Sequence, residues 1–293
     1  MKVRGIVVAA LLAAAFAAKA GHKDRLIEKA EMSMVVGGSI EMRADGSVAS
    51  YSIDHSEKLS QAVTQLVGAQ VAQWRFEPVL VDGKPVAART NMSLRIVAKP
   101  VDDKNFNVRI QSASFSGGRD GSDDRLSVLK KTSLAPMVQA LMSTGLDAAD
   151  LYLALKIDTD GKVMDAIVEQ VNLPGLATDR ELAWLSKVLG QATVKVVRQW
   201  TFNVPERGPE GEPYWSGTLP VTFRMSNSGS SPPAEAGYGE WRMYVPGPCT
   251  PIPWRKLEKG GVDDRCSNDA APEGVLSLDN AGPKLLTPLM QGG

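Results

Sequence analysis

An internal repeat constrains this chain more than any other feature. Two segments, Ser39–Lys99 and Asp150–Asn227, carry the same local signals in the same order. One small unit must therefore be stable twice, and the repeat sets the fold before any single element does. Each copy opens on alternating apolar residues. In the second, Leu151, Leu153, Leu155 and Ile157 interleave with Tyr152, Ala154, Lys156 and Asp158; in the first, Ile40 and Met42 do so less clearly. A period of two belongs to a half-buried strand. Each strand runs into Asp-Gly, at Asp45-Gly46 and Asp160-Gly161. That dipeptide between strand patterns predicts a hairpin, because glycine accepts positive φ without steric cost. Asp45 and Asp160 are accordingly read as turn residues. Return strands are predicted at Val48–Ile53 and Val163–Val168.

A helix follows in each copy. The first is predicted to start at Asp54, with Glu57 three residues on, and the second at Thr178, with Glu181 three residues on. Both spacings suit a side chain that caps the first turn while a carboxylate reaches back. Leu59, Ala62, Val63, Leu66 and Val67 form one apolar stripe at helical spacing, and Leu182, Leu185, Leu189, Ala192 and Val196 form the other. Such stripes are core faces and need no cofactor to explain them. Each helix runs to a Trp-x-Phe strand start, Trp74-Arg75-Phe76 or Trp200-Thr201-Phe202. Trp buries much apolar area and both sit at element junctions, so they are read as core residues rather than recognition aromatics. Pro78 and Gly83-Lys84-Pro85 follow in the first copy, Pro205 and Gly211-Glu212-Pro213 in the second. A last alternating strand closes each copy, at Asn91–Ala98 and Thr218–Met225.

The flanking segments set the compartment. Lys2 and Arg4 precede an uncharged run, Gly5–Ala18, and then Ala18-Lys19-Ala20. A positive start, a short apolar stretch and small residues at the end describe a secretory signal peptide, predicted to be cleaved between Ala20 and Gly21. The run is shorter than the roughly 20 residues that a spanning helix needs, so no stable membrane span is predicted. The chain has two cysteines, Cys249 and Cys266. In an exported protein they are expected to pair as a disulfide, with free thiols as the alternative. Basic and acidic residues number 33 each, which gives no basic excess to attract nucleic acid.

Between the copies, Phe106–Phe115 alternates like a strand, Gly117–Asp124 is a polar loop and Leu134–Met142 reads as a short helix. A similar short helix is expected near Asp24–Glu31. From Ser228 onward Pro and Gly are frequent, so the tail is predicted to be irregular; Trp241, Tyr244 and Trp254 predict that part of it packs on the second copy. The predicted fold class is therefore α+β: two tandem small antiparallel β-sheet plus helix domains, with an irregular Pro/Gly-rich C-terminal tail. The expected layout is signal peptide 1–20, first domain 21–99, connecting segment 100–133, second domain 134–227 and tail 228–293.

The ordered set of strand, Asp-Gly hairpin, helix, Trp-x-Phe-x-Pro, Gly-x-Pro and final strand resembles the C-terminal domain of the TonB energy-transducer family. The stretch from Trp74 through Glu77-Pro78 to Asp82-Gly83-Lys84-Pro85-Val86 carries the likeness best; the second copy has one extra residue before Pro205. The resemblance covers roughly half of the chain. It implies a periplasmic domain that grips an extended segment of an outer-membrane transporter, which joins a sheet edge as an added strand. On that basis the edge strands would carry the partner-binding residues: Asn91, Ser93, Arg95 and Val97 in the first copy, and Thr218, Pro220, Thr222 and Arg224 in the second. The family's durable anchor and long Pro-rich spacer have no counterpart in this sequence.

Nothing in the sequence points to catalysis. His22 and His55 are too few to build a zinc site on histidine spacing. Asp120, Asp123 and Asp124 lie in a Gly-rich loop, but their spacing does not match an EF-hand, and they read as a solvated loop. Gly117-Gly118 lacks the Gly-Lys-Ser/Thr of a P-loop, and no Gly-x-Ser-x-Gly element occurs. The expectation is an exported, periplasmic protein-binding module, not an enzyme, with no cofactor and no metal. Its expected partner is a protein or peptide, such as a segment of a TonB-dependent outer-membrane transporter. The alternative is a self-associating envelope scaffold, a homo-oligomer with no free edge strand.

Overall fold

A computed structural model describes residues 30–102, 105–116, 126–133, 135–144, 146, 148–173, 178–205, 209, 212–224, 238–255, 267–271, 277–278 and 282–289. The signal-peptide region, His22 and the loop holding Asp120, Asp123 and Asp124 lie outside them. Cys249 is described and Cys266 is not, so the expected pairing also lies outside them. The described fold is mixed α+β with mostly antiparallel strands, three α-helices and no closed barrel.

The first sheet is built from β1 (Glu31–Met42), β2 (Val48–Ile53), β5 (Ala88–Pro100) and β6 (Phe106–Ser116), with α1 (Gln61–Val71) on one face. A small hairpin, β3 (Val79–Val81) with β4 (Lys84–Val86), leads into β5. The second sheet uses β8 (Ala148–Ile157), β9 (Val163–Asn172) and β11 (Trp215–Arg224), covered by α2 (Ala135–Thr144) and α3 (Asp179–Val197). Short strands β7 (Ser127–Lys130) and β10 (Thr201–Asn203) pair beside it. The tail adds β12 (Arg242–Tyr244) to the first sheet and β13 (Ser277–Leu278) to the second. The orders are β12-β1-β5-β6, with β2 also on β1, and β13-β11-β8-β9.

The two units share a local device that explains why their signals recur together. Gly46 and Gly161 end the hairpins at φ 78° and 79°. A side chain at either would place its Cβ 2.0 Å from a backbone oxygen, of Phe76 or of Phe202. The reason is a bond: Phe76 N donates to Gly46 O at 2.9 Å, and Phe202 N donates to Gly161 O at 2.8 Å. The turn glycine and the Trp-x-Phe element thus form one joint. Trp74 and Trp200 follow their helices with N–H bonds to Val71 O and Val197 O. Both are buried in the helix–sheet cores, as expected. Those cores carry the apolar stripes: Val63, Val67 and Val71 against Leu94 and Ile96 in one unit, Leu182, Leu185, Leu189 and Val196 against Leu151, Leu153 and Leu155 in the other. Each such side chain contributes about 1.5–3 kcal/mol on burial.

Several expectations are corrected. Asp54 does not start a helix. The chain makes an additional turn first, with His55 at φ 45°, and α1 starts after Ser60, whose hydroxyl accepts from Val63 N at 3.4 Å. Glu31 opens β1 rather than ending a helix. Asp160 lies in its turn as expected, and the acceptor there is Asp158, whose Oδ1 takes Asp160 N and Lys162 N. The segment 100–133 does not merely connect, since β6 completes the first sheet and β7 joins the second unit. The tail packs on both units. Trp241, Leu285 and Leu289 sit against the first core, and Val245 belongs to the second.

The sheets turn their helix-free faces toward each other. Alternation sends Leu94 and Ile96 into the α1 core and Arg95 to the opposite face, where it is 6% exposed. Its guanidinium donates to Ser33 Oγ at 3.0 Å, to Tyr152 Oη on β8 at 2.7 Å and to Asp269 O in the tail at 2.8 Å. The Asp269 carboxylate accepts from Ser112 Oγ and lies 3.3 Å from Arg95 Nε. Burial pushes the Tyr152 phenol well above its ordinary range, with the nearby Arg95 charge opposing.

Candidate functional site

A sheet edge is a row of unpaired N–H and C=O groups, so strand addition needs an edge that nothing else covers. The first predicted edge does not exist. Asn91–Val97 lies inside its sheet, paired with β1 on one side and β6 on the other. Ser93, Arg95 and Val97 are buried, and Arg95 is committed to the inter-sheet network. The strand that covers β5 is the one expected at Phe106–Phe115; sequence shows that strand but not which neighbour it pairs with.

The second predicted edge, β11, is an edge strand but a blunted one. Its Gly217 and Thr218 pair with β13. Thr218 Oγ1 accepts from Arg255 at 2.6 Å, and Thr222 Oγ1 donates to Asp150 at 3.0 Å. Pro220 pairs with Tyr152 of β8 and brings no N–H, the kind of residue that edge strands use against unwanted pairing. Arg224 pairs with Ala148 at the end of the strand.

Other edges are guarded too. On β1, the interval between β12 and β2 is met by Tyr238, whose hydroxyl bonds both Gly37 N and Gly37 O. On β6, Gln111 is bulged out of register between Ile110 and Ser112, and Arg109 pairs with Glu31 at 2.8 Å. Bulges and charges both discourage an incoming strand.

The edge of β9 is different. The tail covers its C-terminal half. Val245 exchanges bonds with Leu173, Gly247 lies against Val171 O, and Thr250 N donates to Glu169 O at 2.8 Å. Glu169, bulged between Val168 and Gln170, holds Arg255 through both oxygens at 2.9 Å. At the other end Lys162 bridges Thr201. Between these points no described strand other than β8 pairs with Val163–Val168. Beside that interval α3 leaves an open groove of about 600 Å³. Its floor is Ala166, Val168, Gly190 and Val194. Gly190 lets the helix approach; a Cβ there would sit 3.2 Å from Val168 Cγ2.

The direction of the backbone groups follows from one bond. Ala166 N donates to the Asp165 carboxylate at 2.8 Å rather than to β8, so it points outward. Pairing from Ala166 to Val168 is regular, and alternation turns the Val168 N–H outward as well. Ser186 Oγ, on the helix wall, is buried without a hydrogen-bond partner. The rim carries Lys187, Lys195 and Arg198. Sequence reasoning missed this groove; the signal that could have found it is the small-residue line Ser186, Gly190 and Val194, four residues apart along α3 and beside its leucine stripe.

Among the described residues, no three His, Cys, Asp or Glu side chains gather as metal ligands, and no helix is long and apolar enough to cross a membrane. Compared with protein-family models, with curated proteins and with solved structures, the chain matches none of them.

Proposed function

We propose that this chain is an exported protein-binding module that takes an extended segment of an envelope protein by strand addition on β9. The observation that carries the reading is the Val163–Val168 interval, an edge that no described strand other than β8 pairs with, lying next to an apolar groove under α3. Main-chain bonds to the edge supply affinity, and alternate side chains of the guest fill the groove. The likeness of the repeat to the TonB C-terminal domain points to the same mode, with an outer-membrane transporter segment as the guest, and the leader places the encounter in the periplasm. The binding edge is β9 rather than β5 or β11.

The test uses the full chain in its own cell envelope, with a photo-crosslinker at Met164, which is 54% exposed. The expected result is capture of a partner through one extended segment, and loss of that capture in Val168→Pro. That substitution removes the outward N–H and leaves the β8 ladder intact. A melting curve of the variant separates lost binding from lost folding. Capture that survives Val168→Pro in a folded variant sinks the reading.

A second reading has its own support. Tail residues cover β1, β11 and part of β9 within the same chain, which suits a scaffold whose edges are closed. Under that reading the crosslinker captures only another copy of this chain, or nothing.

A further inference from the structure

We infer that the segment received by the β9 groove is acidic. The inference rests on the strand-addition reading and names the chemistry of its guest. The whole chain is charge-balanced, with 33 basic and 33 acidic residues. The groove is not: Lys187, Lys195 and Arg198 line it, and among the described residues the carboxylate paired with any of them is Asp165, with Arg198. Lys187 and Lys195 make no ion pair with any described residue, and spacing two turns apart on α3 sets them along the groove. Both ammonium groups are therefore available to a guest.

Asp165 shows what that environment selects. Its carboxylate accepts from the outward Ala166 N–H at 2.8 Å and also from the Arg198 guanidinium. One carboxylate thus already satisfies an edge donor and a rim cation together. An incoming strand with acids among its α3-facing side chains would repeat this arrangement at Lys187 and Lys195, with its apolar side chains on that same face meeting Val168, Gly190 and Val194. Both demands fall on the one face of the guest that meets α3, because successive residues of a strand point to opposite sides. A basic segment would face three cations, and like charges across an interface are strongly unfavourable.

The experiment measures fluorescence anisotropy of the full chain with three synthetic eight-residue peptides on one valine frame. The variable positions, on the same face as the valines, are aspartate and glutamate, glutamine and serine, or lysine. The acidic peptide should bind best, roughly tenfold or more tighter than the neutral one at low salt, with the gap shrinking as salt rises. Lys187→Glu with Lys195→Glu should abolish the preference, whereas Lys84→Glu on the far unit should leave it unchanged. Equal binding of acidic and neutral peptides, lost in Val168→Pro, overturns the charge inference and leaves strand addition standing. Best binding by the lysine peptide also overturns it. If none of the three binds, both readings fall.

Discussion

A guanidinium as deeply buried as that of Arg95 is stable only while its donors are met and its charge is paired. Ser33, Tyr152 and Asp269 meet that need from three separate parts of the chain. Arg95→Ala removes the guanidinium beside the buried Asp269 carboxylate, and removing one partner of a buried pair costs about 3–5 kcal/mol. Urea unfolding should show that loss. Replacing Arg95 and Asp269 together by apolar residues should recover most of it, because the desolvation of both charges disappears with them. A single-variant loss below about 1 kcal/mol, the worth of a surface pair, would show that the network carries no weight. Nothing local announces this role. Arg95 reads as one polar position in an alternating strand, and Asp269 lies 174 residues away. Gly46 and Gly161 were legible for the opposite reason, since the φ they need is written in the residue type.

Capping separates the element that the sequence reveals from the one it conceals. On α3 both halves of the box are present: Thr178 accepts from Glu181 N at 3.2 Å, and Glu181 returns to Thr178 N at 2.8 Å. On the other unit, Asp54 with Glu57 offers the same pattern a few residues before the true cap at Ser60. Packing decided between them; His55 stacks edge-on against Tyr238 at 5.3 Å, and Leu59 enters the core. Thr178→Ala should cost about 1 kcal/mol, read by thermal or urea unfolding. The pH dependence has a definite sign. The Thr178 backbone N–H, and then its hydroxyl, hold the Glu181 carboxyl below its ordinary value. A depressed carboxyl stabilises the fold above its unfolded value, near about 4, and that contribution is lost as pH falls toward the folded value. Glu181→Ala, which removes the titrating group, should therefore differ most from the parent at neutral pH, and the gap should narrow in acid. A gap that widens on acidification would refute the box.

The tail makes the molecule one object. It reaches β1, β9, β11 and the Phe76 joint in turn, with Pro-rich stretches between the contacts. Each contact is only a few residues long, so no periodicity marks it, and sequence reasoning could assign it only as irregular. The repeat, hairpins, cores and final strands were legible because each depends on neighbours in sequence. The edges were not, because coverage is set by strands from elsewhere in the chain. Deleting residues 238–293 should uncover β1 and β11 together, and uncovered edges pair with one another. Size-exclusion with light scattering should then show oligomers or loss of soluble protein. A monodisperse monomer would mean that the tail is dispensable for edge protection.

The pairing of Tyr238 with Gly37, 201 residues apart, has a consequence in time. A chain made from its N-terminus presents β1 long before Tyr238 and β12 exist. Domains fold in order of synthesis, and contacts so distant in sequence close last. The first sheet therefore waits with one margin bare until the final fifth of the chain has arrived. Whatever escorts the polypeptide during that interval, whether a chaperone or simple dilution, guards the segment that the finished protein later guards for itself.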